Sequence, residues 1–142
     1  MKFIVDKEVF ERLPDVSFGV VVGYGIDNTS GHPEIKQMLE NQVHSLHKLL
    51  EDKNLKDYPS ITPYREAFLK LGINPNKYMS SIEAMAKRIS KGNMLPSING
   101  IVDLANSVSL KYILPIGAHD MDVLKGDIKV RFAKEGDKFN PL

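Results

Sequence analysis

The side chains with most capacity for chemistry in this 142-residue sequence fall in one stretch, Pro96–Asp120. Asn99, Asp103 and Asn106 are spaced four and three apart, so a helix there puts all three on one face, beside an apolar stripe of Ile98, Ile101, Val102, Ala105 and Val108. A polar line bordering a core has to be hydrogen-bonded, and it meets that need by bracing neighbouring loops or by lining a pocket. Asn99 is placed to cap the helix, and Asp103 or Asn106 to hold the backbone of the Pro115–Asp120 loop. That loop carries Gly117, His119 and Asp120. An adjacent His and Asp point different ways in extended chain, so His119 needs a partner from elsewhere to act as a general base.

Other chemically suggestive groups have plainer readings. His44 and His47 lie three apart, a spacing that can bring two imidazoles to one metal, but no further ligand pattern completes a set, so they read as solvated surface residues. Gly23-Tyr24-Gly25 lacks the third glycine of a dinucleotide loop and the Gly-Lys-Ser/Thr of a P-loop, and reads as a strand exit. Ser80-Ser81 has no glycine elbow and no base nearby; with Glu83, Ser80 instead makes a capping-box pattern. Neither a resident metal nor a cofactor is expected.

The elements that must position these residues follow from periodicity. Lys2–Val5 reads as a short strand, followed by a brief helix from Asp6 through Leu13. Val16–Gly25, with Val20-Val21-Val22 at its centre, suits a strand buried on both faces. Pro33 opens a long helix with Ile35, Met38, Leu39, Val43, Leu46, Leu49 and Leu50 on its stripe, ending near Lys53-Asn54. A second helix runs from Thr62-Pro63 to Gly72, a third from Ser80 to Gly92, and a fourth starts near Asn99. Tyr112–Gly117 reads as extended chain. Ile128, Val130 and Phe132 alternate with polar positions as in a half-buried strand, then Glu135-Gly136-Asp137 turns into a return strand at Phe139–Leu142. Central helices between terminal strands predict an α+β class, with helices packed on a mixed or antiparallel sheet in a single domain.

Composition narrows the functional classes. The 19 Lys+Arg against 18 Asp+Glu leave a net charge of +1, so nucleic-acid binding finds no support in overall charge. With no cysteine, a thiolate nucleophile, a disulfide framework and Cys-based metal sites are excluded, and a reducing cytoplasm is compatible. No run of 18 or more apolar residues suggests a membrane span, and Met1–Asp6 is charged too soon for a signal peptide.

The run Ile98-Asn99-Gly100-Ile101-Val102-Asp103-Leu104-Ala105-Asn106-Ser107-Val108, continued in register by Leu110, Pro115, Ala118 and Asp120, resembles the I-N-x-V-V-D-I-T-N-Y-V … L-G-Q-P-L-H-A-F-D pattern of the B3/B4 domain in the bacterial phenylalanyl-tRNA synthetase β subunit. Asp122–Ile128 and Val130–Lys138 are similar to its D-x-x-K-L-x-G-x-I-x-V-R-x-A-x-x-G-E-K continuation. Tyr64-Arg65-Glu66-Ala67-Phe68, Gly72, Pro75, Lys77-Tyr78 and Ser81-x-Glu83-Ala84 resemble members that carry this domain without the synthetase. The resemblance implies an α+β module that hydrolyses a wrongly attached amino acid from tRNA, with Asn99, Asp103, Asn106, Gly117, His119 and Asp120 as candidate pocket residues and none assigned as catalytic. It implies tRNA or aminoacyl-tRNA as partner, bound weakly without help at this charge. The sequence departs from the pattern where Ala105, Ser107 and Gly117 stand for its threonine, tyrosine and histidine, and where His119 replaces its phenylalanine. The family's later glycine-rich segment and pocket glutamate would lie beyond Leu142, so a C-terminally incomplete domain is expected. A non-enzymatic domain binding RNA, a small molecule or a protein through a degenerate pocket is the alternative.

Overall fold

The computed structural model describes residues 1–29 and 31–138. The chain folds into two compact units, one made of Met1–Val20 with the chain from His119 onward, the other of Val21–Ala118.

The larger unit is helical. Its α2 (Pro33–Leu50) begins at the proline whose missing N–H would have no helical partner anyway, and it buries Leu39, Val43, Leu46 and Leu50 along one stripe. The helix stops at Leu50, a turn earlier than the sequence suggests, and Leu49 is 41% exposed. A short 3₁₀ turn, Leu55–Asp57, leads to α3 (Thr62–Lys70), closed by Gly72 at a φ of +73° that favours glycine. The next helix, α4 (Ser81–Ser90), buries Ile82, Ala86 and Ile89. The last, α5 (Gly100–Tyr112), contributes Leu110 and is followed by Ile113. These side chains, with Ile61, form one core between helices, and α2 packs against both α4 and α5. The helices fall in the expected order because each has a local start signal and an apolar stripe, while the end of α5 is set by Ile113 in the left-handed region, which no local signal marked.

The smaller unit holds β1 (Phe3–Val5), α1 (Lys7–Arg12) and β2 (Ile128–Val130). The two strands pair parallel, Phe3 opposite Ile128 and Val5 opposite Val130, and the Asp6 N–H extends the ladder to the Val130 carbonyl at 3.0 Å. The fold is therefore α-rich with a small sheet, and the expectation of a mixed or antiparallel sheet is corrected to a parallel pair. A hairpin at Glu135-Gly136-Asp137 suggested antiparallel pairing. The strand that β2 meets instead is the first of the chain, and a long crossover permits the parallel arrangement. The turn itself is present, with Gly136 at φ +89°, while the return strand at Phe139–Leu142 lies outside the described residues.

Val16–Gly25 is the second correction. It forms no strand among the described residues, and its centre is exposed, Val21 to 98%. Apolar β-branched composition fits a pleated, half-buried surface only when a neighbouring strand supplies hydrogen bonds, and no such neighbour is present among the described residues. Among the described residues of the smaller unit Val9 is the buried apolar one, and Phe18 gathers Phe3 and Phe10 around it at centroid distances of 6.0 and 6.2 Å. Arg12 lies 4.3 Å over the Phe132 ring.

Candidate functional site

Asn99 stands in extended backbone just before α5, and its side-chain oxygen accepts the Val102 N–H at 3.0 Å. Its own carbonyl takes the Asp103 N–H at 2.9 Å. Asn28 reaches in to accept the Ile101 N–H at 3.0 Å. The N–H groups of Ile101, Val102 and Asp103, which open α5, are thus filled by protein groups. Gly100 allows this close approach, because a Cβ there would meet the His32 ring at 2.5 Å.

Asp103 is 2% exposed, and both of its oxygens are engaged. One accepts the Ser97 hydroxyl at 2.5 Å and the other the Ile98 N–H at 2.9 Å. A carboxylate so deeply placed needs such donors, and here they come from the segment before the helix rather than from the loop after it. One turn on, the buried Ser107 hydroxyl donates to the Asp103 carbonyl at 2.8 Å. Asn106 shares this face, is half-buried, and makes no side-chain hydrogen bond among the described residues.

The end of α5 is made by Ile113 in the left-handed region, at φ 53°. This conformation is strained for a β-branched residue. It is held by burial of the Ile113 side chain, by the Leu114 N–H on the Ser109 carbonyl at 3.1 Å, and by the Ser109 hydroxyl on the Leu114 carbonyl at 2.5 Å. That sharp exit launches the loop that carries exposed Gly117. His119 and Asp120 are also exposed, and Asp120 accepts the Asp122 N–H at 3.0 Å in a local turn. Of the six candidates, Asn99, Asp103, Asn106 and Gly117 belong to the helical unit, and His119 and Asp120 to the smaller one. Asn99 and Asp103 fix the chain around the start of α5, whereas Asn106 and His119 make no side-chain hydrogen bond among the described residues.

Sequence reasoning missed a buried ion pair. Arg65 of α3 donates to Glu83 of α4 at 2.6 Å, to the Pro75 carbonyl at 3.2 Å and to the Asn76 side chain at 2.8 Å. The two side chains are 14% and 4% exposed. The capping box is consequently half-formed: Ser80 accepts the Glu83 N–H at 3.4 Å, but the Glu83 carboxylate faces Arg65. No local spacing could have announced a pair eighteen residues apart. Burial raises the Tyr64 hydroxyl above its ordinary value.

Two cavities lie in the helical unit away from the six candidates. One, of about 580 Å³, is a shallow bay along Lys53–Ser60. The other, about 190 Å³, lies where α2 meets the end of α4 and is lined by His44 and His47, among others. Among the described residues no group of three or more His, Asp or Glu could hold a metal ion.

The family model described as B3/4 domain matches residues 63–142, more than half of the chain. Curated relatives are similar over part of the chain. The phenylalanine–tRNA ligase beta subunit of Geobacter metallireducens is 31% identical over 111 residues, 78% of this chain and 13% of that protein. Those of Fusobacterium nucleatum and Protochlamydia amoebophila are 35% and 37% identical over 74 and 75 residues, each 52% of this chain and 8% of the relative. The chain thus spans about a tenth of the length of the relatives it matches. No solved structure matches it. The run of motif residues from Tyr64 through α5 to Lys138 falls inside the matched region, and the chain belongs to the B3/4 domain family.

Proposed function

We propose that the chain is a tRNA-editing type of B3/4 module, one that recognises the aminoacyl end of a cytoplasmic tRNA and promotes hydrolysis of its ester. The observation that carries this reading is the family match across residues 63–142, which includes every candidate pocket residue. The tRNA-ligase names of the relatives support an RNA-linked substrate. Both units are read as parts of one such domain. Ligation is not part of the proposal, because the chain corresponds to so little of those ligases.

In this reading Asn99 and Asp103 hold the start of α5 rigid, and Asn106 and Gly117 of the same unit offer a surface to the aminoacyl group. Hydrolysis needs a base that accepts a proton from water as the oxygen attacks the ester carbonyl, and a proton returned to the departing ribose hydroxyl. His119, next to Asp120 in the sequence, is the candidate for that base. A second reading, binding without hydrolysis, is favoured by one observation: the Asp103 carboxylate is fully engaged by Ser97 and Ile98.

A deacylation screen over a panel of mischarged tRNAs separates the two. The proposal expects acceleration over buffer for at least one of them, falling about 10²-fold in His119→Ala. Binding of charged tRNA with no acceleration establishes the second reading. Absence of both acceleration and binding overturns the RNA-linked function altogether.

A further inference from the structure

We propose that the cavity between α2 and the end of α4 accepts one unstacked nucleobase of a single-stranded RNA. The cavity measures about 190 Å³ and is lined by Val43, His44, His47, Ile89, Asn93 and Met94, with Gly92 at the turn. That volume admits a single planar ring system and excludes a whole nucleotide. His44 and His47 lie three apart on α2, so one face of the helix presents both imidazoles. Exposed Met94 supplies an apolar wall above the buried Val43 and Ile89, and no lining residue is acidic.

The polar groups suit a base edge. The Asn93 amide nitrogen is 3.5 Å from the Arg88 carbonyl, which leaves its oxygen as an acceptor. Each imidazole offers one ring nitrogen as donor and the other as acceptor. Unpaired bases are held in this way, by flat aromatic groups and by amide or ring hydrogen bonds to their edges. Cations flank the cavity along the chain: exposed Lys48 follows His47, exposed Lys91 precedes Gly92, and Arg88 is fixed beside Met94 by its Nε bond to the Met94 carbonyl at 2.9 Å. These are the groups a phosphate backbone would meet. Local charge of this kind is compatible with the near-neutral total.

The inference deepens the RNA-linked reading and rests on it, but its test uses RNA that carries no amino acid, so the two fail separately. Fluorescence anisotropy is measured on the full chain with a labelled five-nucleotide single strand and with a hairpin duplex. Saturable binding of the single strand is expected, stronger than that of the duplex, and about tenfold weaker in both His47→Ala and Asn93→Ala. Lys91→Ala is expected to reduce the salt slope by about one. Absence of single-strand binding, equal binding of the duplex, or affinity unchanged in both His47→Ala and Asn93→Ala overturns the proposal.

Discussion

Asp103 carries a carboxylate of the kind that performs acid–base chemistry, and its surroundings commit it to structure. With Ser97 on one oxygen and the Ile98 N–H on the other, it fixes the chain entering α5. Asp103→Asn puts an amide N–H against one of those donors and is expected to destabilise the fold by about 1–3 kcal/mol, read by urea denaturation. Asn99→Ala removes a cap and should lower stability by about 1 kcal/mol in the same measurement. The cap was legible because it is a local pattern of three residues. The partners of Asp103 were not, because the same side chain could serve the loop on either side of the helix.

Asp137 gives a pH prediction at this scale. The hydrogen bond from Arg131, at 2.7 and 2.9 Å, and the Lys134 N–H hold its carboxyl well below the usual carboxylate range. A depressed folded-state pKa contributes stability above the unfolded value of about 3.9, and that contribution is lost as pH falls from there toward the folded value. NMR titration of the Asp137 carboxyl carbon should show it still ionised at pH 3, and Arg131→Ala should raise its titration toward the ordinary range, with the Lys134 N–H still lowering it.

Elements were legible wherever signals are local and repeated. Pro33, Ser80, Asn99, Gly72 and Gly92 punctuate the helices as their backbone geometry requires. Strands were less legible, since a strand is defined by what pairs with it: Val16–Gly25 has the composition and lacks a partner among the described residues, whereas Phe3–Val5 found one more than a hundred residues away. The join between α3 and α4 was equally hidden, because Arg65 and Glu83 gain their meaning only after the 73–78 turn folds back. Removing one partner leaves an uncompensated buried charge, so Arg65→Ala is expected to cost about 3–5 kcal/mol. The double variant Arg65→Met with Glu83→Leu should recover much of that loss, as chemical denaturation of the three proteins would reveal. Equal losses in the single and double variants would place the stabilisation elsewhere.

For the whole molecule, family membership emerged from an uninterrupted register of motif residues, and the match over residues 63–142 bears it out. The candidate site was less legible than the family. Sequence spacing put Asn99, Asp103 and Asn106 on one helix face; Asn99 caps α5 from extended backbone and the other two lie within the helix, a division between bracing and binding that spacing could not make. That division depends on which donors the folded chain brings within reach. A net charge of +1 further implies that recognition rests on a pocket more than on phosphate contacts. The most direct test is the affinity of the chain for one tRNA in its aminoacylated and uncharged forms, measured side by side at physiological salt. The aminoacylated form is expected to bind on the order of tenfold more tightly; equal affinity for the two forms would contradict recognition of the aminoacyl end.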